Sequence, residues 1–396
     1  MLVKEIGERY QDYVIQMRRK FHRCPEIALQ EVKTCRMICE ELQQMGLSPK
    51  VICGTGVMVD IGHRSKSGRT VCIRADIDAL QVTEETGAAY ASENPGYMHA
   101  CGHDAHIAMN LGCARILTDI QEQLNGRVRL IFEPAEEVAK GALGMIAAGA
   151  LEQVDTIYGT HVWGDVPAGL FSAEAGPRMA SADFFTIRVK GKSVHGSMPH
   201  KGIDPIAAAA AIVNALQVAF HREIDAAEPA VLSFCQIHGG NTDNAIPEEV
   251  TIGGTTRAFS PKIRQSFPGI MERVIRDTAQ AFRAEAVLDY RFGSSPVSND
   301  PGCSARALKA IAKNYGQEAI TQQKPTMGGE NFSEYQTIVP GVFVFLGIHN
   351  EELGAVYPNH SSHFAMDESV LIRGSVAAAQ YAVDFLEEGL THEDHR

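Results

Sequence analysis

From residue 50 to residue 161 the chain alternates short β-rich runs with helical ones, and no other feature narrows its fold as far. Pro49–Cys53, Val57–Ile61, Arg69–Asp76, Gly126–Phe132 and Val154–His161 are rich in β-branched and apolar residues and read as strands. Residues 104–119 and Ala142–Ala150 lie between them as helical runs. A helix over residues 4–22, with Ile6, Tyr10, Tyr13, Val14 and Met17 at helical spacing, and another over Glu31–Met45 precede the first strand. Such alternation predicts an α/β domain with a mixed, mostly parallel sheet layered with helices. Asp76, Glu136, Glu137 and His161 all fall at or just past the C-terminal end of a predicted strand. Open α/β sheets bind their ligands along that edge.

The pattern changes after Pro177. Phe184–Lys190, Ala230–Ile237, Glu249–Gly253 and Ala284–Tyr290 read as strands, joined by an Ala-rich helix from Pro205 to about Phe220 and an amphipathic one over Ile263–Phe282. That is an antiparallel α+β unit. From Pro301 the earlier pattern returns, with a helix to Tyr315, the strand Val342–Leu346 and a last helix over Glu368–Glu387. The chain therefore reads as one larger domain in two parts, residues 1–181 and 295–396, interrupted by a smaller inserted domain over 182–294. A length of 396 residues has room for both.

Composition removes several classes of function. A formal net charge of -12 argues against nucleic acid or an anionic membrane surface as partner. Nine cysteines, an odd number without a framework spacing, point to a reducing compartment. Met1–Arg9 carries no apolar core of a signal peptide, and no run approaches the ~18 apolar residues of a membrane span, so a cytoplasmic protein is expected.

His99-Ala-Cys-Gly-His-Asp-Ala-His106 packs three histidines, a cysteine and an aspartate into eight residues before a helical run. Imidazole and thiolate are the donors that borderline-soft divalent metals prefer, and Gly102 lets the backbone turn so that Cys101 and His103 face one ion. The plainer alternative is a polar loop with Asp104 capping the helix. Glu136-Glu137 offers adjacent carboxylates that point in different directions, so one can bind metal while the other stays free as a base. Tyr357-Pro-Asn-His-Ser-Ser-His363 adds two histidines late in the chain.

Arg74-Ala-Asp-Ile-Asp-Ala-Leu80, Met98-His-Ala-Cys-Gly-His-Asp-Ala-His106, Pro134-Ala-Glu-Glu137 and Gly159-Thr-His161 resemble the hippurate hydrolase and auxin-conjugate hydrolase branch of the aminoacylase/carboxypeptidase metallohydrolases. So do Gly191 to Pro205 with His195, Asn244-Ala-Ile-Pro247 and Met327-Gly-Gly-Glu-Asn-Phe332. The resemblance spans residues 15 to 388 and implies a metal-dependent exopeptidase-like fold, with the inserted domain acting in dimerisation. It implies two divalent metal ions per subunit, held by Cys101, His103, Glu137, His161 and His360. Glu136 matches the general base, and Asp76 the carboxylate that orients the site. His195 matches a histidine that helps stabilise the oxyanion, within the same subunit or a partner. Asn244, Arg257 and Glu330 match substrate contacts, Arg257 suiting the carboxylate of an N-acyl amino acid.

The implied activity is hydrolysis of the amide of N-acyl-L-amino acids, with zinc or manganese, or else cobalt or nickel, as the metal. A homodimer or higher homo-oligomer is implied as well. Gln81, Gly329, Asn331 and His363 depart from the usual pattern of the branch, which bears on acyl specificity more than on the reaction. His106, His200 and His363 read as supporting or surface groups rather than ligands. Three alternatives stay open at this point: a dipeptidase or aminopeptidase of the same chemistry, a non-catalytic binding protein, and a hydrolase with Cys101 as nucleophile.

Overall fold

Four parallel strands, Arg127–Glu133, Thr70–Asp76, Thr156–Pro167 and Gly341–His349, lie side by side at the centre of a seven-stranded sheet. Gly56–Gly62 and Lys50–Ile52 extend one side and Phe171–Ser172 the other, all antiparallel to their neighbours. The sheet is thus mixed and mostly parallel, as the strand–helix alternation predicts. Thr70–Asp76 is buried along its whole length, the condition of a strand covered on both faces. Helix His103–Asp119 packs against Gln11–His22 and Leu371–Glu387. A Cβ on Gly112 would lie 2.6 Å from Val14 Cγ2 and 2.5 Å from Ser375 Oγ, so glycine is what lets these three helices approach.

The computed structural model describes residues 3–388. It divides into two units. The larger holds the residues up to Gly176, Ser298–Lys324 and those from Asn331 onward; the smaller holds Pro177–Val297 and Pro325–Glu330.

His161 departs from expectation. The strand that carries it does not stop there but runs on to Pro167. Pairing with Thr70–Asp76 ends at Arg74 opposite Gly159, whereas Gly341–His349 accompanies the strand past His161, which sits opposite Phe345. A partner from the far end of the chain supports the extra length, and local pattern cannot report it. His161 still lies level with the carboxyl end of Thr70–Asp76, so it stays on the edge where ligands gather.

The smaller unit is a four-stranded antiparallel sheet in the order Ala230–Gly239, Glu249–Ala258, Ala182–Lys190, Glu285–Ser294. Phe185, Ile187 and Val189 alternate inward and share one core with the helices Pro205–Glu223 and Pro261–Ala281. Each helix begins with a capping side chain followed by proline. Asp204 accepts from the N–H groups of Ile206 and Ala207, and Ser260 accepts from Ile263. Among the described residues no helix is long and apolar enough to cross a membrane. All nine cysteines are free.

Candidate metal centre

The loop before helix His103–Asp119 turns at Gly102, whose φ of +93° is left-handed and whose added Cβ would lie 2.4 Å from Val162 Cγ2. Glycine is the residue that tolerates both conditions. Asp104 does not cap the helix. Its carboxylate turns inward to Arg18 Nε at 2.9 Å and His22 Nδ1 at 2.7 Å, tying the loop to helix Gln11–His22.

Cys101, His103 and Glu137 bring their donor atoms within 4.8 Å of one another. Cys101 Sγ is 3.5 Å from His161 Nε2 and 3.3 Å from His360 Nε2, and Glu137 Oε1 is 3.7 Å from His360 Nε2. The five side chains therefore converge from four separate stretches of sequence. His103 Nδ1 lies 2.8 Å from the Asp78 carbonyl and His161 Nδ1 2.7 Å from the Val162 carbonyl, so each donates there and keeps the Nε2 lone pair facing the cluster. His106 carries its proton on the same nitrogen, but its Nε2 is already taken. The Val162 N–H donates to its Nε2 at 2.9 Å, which leaves Nδ1–H to donate to Asp76 Oδ1 at 2.5 Å. With both nitrogens engaged, His106 supports the site and has no lone pair left for an ion.

Two buried atoms test whether a metal fits. His103 Nε2 and Glu137 Oε1 are shielded from solvent and make no hydrogen bond, a costly state unless a cation uses them. Burial, with Asp78 nearby, pushes the Glu137 carboxyl up to about 7 although His103 pulls it down. Burial and the neighbouring Glu137 push the Cys101 thiol well above its usual range. Burial, followed by His106, holds the His161 imidazole well below its ordinary value. A thiol, imidazoles and a carboxylate form the donor set of a borderline divalent ion, whose charge favours the deprotonated donors.

Beside these donors, Glu136 and Glu137 occupy the turn after strand Arg127–Glu133. Their N–H groups donate to the two oxygens of the Asp78 carboxylate at 3.0 and 3.1 Å, and the Asn331 N–H donates to Glu136 Oε1 at 3.3 Å. Asp76 accepts from Arg74 Nη1 at 2.7 Å and lies 3.6 Å from His103 Nε2. Arg74 also donates to Glu133 at 2.7 Å and to Asn331 at 2.9 Å. His360 adopts φ +72°, fixed by its N–H donating to the Ala100 carbonyl at 2.7 Å. The Asn359 amide spans the Cys101 and Val162 carbonyls at 3.0 and 3.3 Å.

Asp78, Arg74 and Asn359 carry no assignment from the sequence alone. Asp76 and Asp78, the last residue of a strand and the one two places on, are a usable signal because residues so spaced along extended chain point the same way. For Asn359 there was none.

The other candidates lie in the smaller unit. His195 is exposed on the short strand Val194–His195, opposite Ala245, and its Nδ1 accepts from Ser197. Asn244 precedes that pairing partner, and its carbonyl accepts the Gly196 N–H at 2.7 Å. Arg257 lies on an interior strand rather than at a sheet edge. Its guanidinium donates to Thr255 Oγ1 and to the Thr256 carbonyl and forms no ion pair among the described residues. Glu330 is buried at 3% exposure.

Residues 72–384 match the sequence profile of peptidase family M20/M25/M40. Over 97% of its length the chain is 38% identical to thermostable carboxypeptidase 2 of Saccharolobus solfataricus, 97% of which is covered. It is 39% identical to N-acetylcysteine deacetylase of Bacillus subtilis, over 94% of this chain and 97% of that protein. It is 37% identical to IAA-amino acid hydrolase ILR1-like 4 of Arabidopsis thaliana, over 95% of this chain and 86% of the other. A solved Bacillus subtilis structure, described as a dinuclear metal binding peptidase from the M20 family, superposes with a TM-score of 0.85 at 36% identity, over 96% of this chain and 99% of that one.

Proposed function

The chain belongs to peptidase family M20/M25/M40, a family of metal-dependent hydrolases, and from that premise we propose that it cleaves the amide bond of N-acyl-L-amino acids to a carboxylic acid and a free amino acid. The observation that carries this reading is the pair of buried atoms that make no hydrogen bond, His103 Nε2 and Glu137 Oε1, with Glu136 in the adjacent position. Cys101, His103, Glu137, His161 and His360 hold two divalent ions, zinc or manganese before cobalt or nickel. When bound, the ions supply Lewis acidity toward the carbonyl and lower the pKa of water.

The remaining work falls to the chain's own groups. Glu136 takes the proton from water as the carbonyl is attacked and returns it to the leaving nitrogen, so that the amide and one water become an acid and an amine. The Asp78 carboxylate fixes the turn that aims Glu136, and Asp76, held by Arg74, stands behind His103. His195 donates to the developing oxyanion. Arg257 and Asn244 receive the substrate carboxylate, and Glu330 lines the pocket. The reading includes a homodimer or larger homo-oligomer, in which His195 serves its own or a partner's site, and a cytoplasmic setting suited to nine free cysteines.

Cys101 is a poor nucleophile here, because burial raises its thiol well above the range where thiolate forms. A peptidase reading has a specific basis in the carboxypeptidase relative. Both are tested by measuring metal content alongside hydrolysis of acetyl, benzoyl, indoleacetyl and aminoacyl derivatives of several amino acids, with and without chelator. About two metals per chain and chelator-sensitive release of free amino acid from acyl substrates are expected. Activity confined to substrates with a free amino terminus would select the peptidase. A metal-free protein that stays inactive after reconstitution with zinc and manganese would overturn the proposal.

A further inference from the structure

We propose that Glu31 is a positioning residue for the turn that carries Glu136 and Glu137. It stands outside the residues matched by the family profile and more than a hundred positions before the turn it holds. The inference rests on the roles given above to Glu136 and Glu137.

Glu31 is completely buried and directly precedes helix Val32–Gln44, yet its side chain does not cap that helix. Glu26 does so instead, accepting from the Thr34 N–H at 2.8 Å and the Thr34 hydroxyl at 3.0 Å. Glu31 is thereby free to turn inward. Its Oε1 accepts from the Leu29 N–H at 2.9 Å and the Ala135 N–H at 2.8 Å, and its Oε2 accepts from Thr55 Oγ1 at 2.7 Å. Leu29 and Ala135 both have left-handed backbones, at φ +66° and +56°, a conformation that side chains other than glycine adopt only when held. One carboxylate oxygen thus fastens two strained residues at once.

The Ala135 contact completes a series. The N–H groups of Ala135, Glu136 and Glu137 are consecutive, and they end on two buried carboxylates, the first on Glu31 and the next two on Asp78. Three N–H groups fixed in succession determine the course of the backbone, and with it the directions in which the two glutamate side chains leave. Without the Glu31 acceptor the Ala135 N–H would be buried and unpaired, and the turn could relax toward an ordinary conformation.

The test compares Glu31→Ala with Glu31→Gln in the full chain, reading kcat and KM on the best acyl substrate, and reading metal affinity by titrating zinc into the chelated protein. Glutamine keeps an oxygen for Leu29 and Ala135 and offers an N–H to Thr55 Oγ1. Glu31→Ala is expected to lower kcat at least tenfold with KM within twofold, and to weaken one of the two zinc affinities roughly 10- to 100-fold, as loss of a supporting partner does at metal sites. Glu31→Gln should restore both. Ile38→Ala, in the core of the same helix, should lose comparable thermal stability and keep kcat and zinc affinity. Should Glu31→Ala fail to fold, Thr55→Val removes one anchor of the carboxylate and should give a smaller loss of kcat and zinc affinity.

Wild-type kcat and zinc affinity in Glu31→Ala would overturn the inference, as would a Glu31→Gln variant as damaged as the alanine. Glu136→Gln and Glu137→Ala are measured in parallel. If these keep full activity and both metals, it is the proposed function that fails, whatever the Glu31 variants do.

Discussion

Apart from the exposed His360 of the larger unit and the buried Glu330 of the smaller, the two units hold their chemistry-bearing residues in opposite ways. In the larger unit, His103, His106, His161, Asp76 and Asp78 are buried, and each is fastened by neighbours that fix its orientation, tautomer or backbone. In the smaller unit, His195 and Asn244 are exposed on a two-residue strand and the turn beside it, and Arg257 is steadied by its own strand's threonines. The difference teaches where precision is built in. Groups that share a metal need geometry fixed before it arrives, whereas groups that meet a flexible substrate at its periphery can order on contact.

Substitutions can break this contrast, starting with the largest effect. Glu136→Gln should lower kcat by about 10²- to 10⁴-fold, the range for loss of a positioned general base, with metal content unchanged by elemental analysis. His195→Ala should lower kcat by roughly 10²- to 10³-fold if it is an oxyanion donor. Its melting temperature and metal content should stay at wild-type values, because its side chain holds nothing in the core. A His195→Ala protein that loses metal would end the contrast drawn here. Arg257→Ala should raise KM about 10- to 100-fold with little change in kcat, the scale of a lost hydrogen bond to a charged group. If kcat falls and KM does not, Arg257 is no carboxylate clamp.

The smallest effect is on stability and sharpens the contrast for the larger unit alone. Without metal, Glu137 is raised to about 7 by burial. His103 is raised well above its ordinary value: burial, the largest effect, opposes this, but Asp76 and Cys101 outweigh it. A carboxyl or imidazole with a raised pKa holds its proton longer folded than unfolded, so folding stability falls as pH rises. For Glu137 the fall runs from its unfolded value near 4.5 to about 7, and for His103 it begins near 6.5 and continues upward. His161, held low by burial, gains stability as pH rises toward 6.5 and changes nothing above it, so melting curves of the chelated protein should drop by a few degrees from pH 6.5 to 8, and saturating zinc should reverse the slope. A flat profile in chelator would show that the cluster does not carry that proton affinity.

Much of this was legible in the chain because the larger unit writes its chemistry locally. Cys101 and His103 flank one glycine, Glu136 and Glu137 are adjacent, and hydrophobic runs mark the strands that deliver them. The strand–helix alternation named the layered sheet, and the family motifs named the hydrolase. Hidden from this reading were features made by partners distant in sequence. His161 looked terminal because the strand that prolongs its own, Gly341–His349, lies about 180 residues onward. Asn359 and Arg74 gave no sign that one would tie the Cys101 loop to the strand Thr156–Pro167 and the other join Asp76, Glu133 and Asn331.

The sequence by itself determined which donor types are present and that they collect at the carboxyl edge of a mostly parallel sheet, since side-chain chemistry and hydrophobic period are local properties. Only the tertiary structure decided which histidines keep a lone pair for metal. His103 and His161 do so because backbone carbonyls take their Nδ1 protons, and His106 does not because the Val162 N–H occupies its Nε2. Whether a ring nitrogen keeps its lone pair is fixed by whatever lies at hydrogen-bond distance, and folding alone supplies that neighbour.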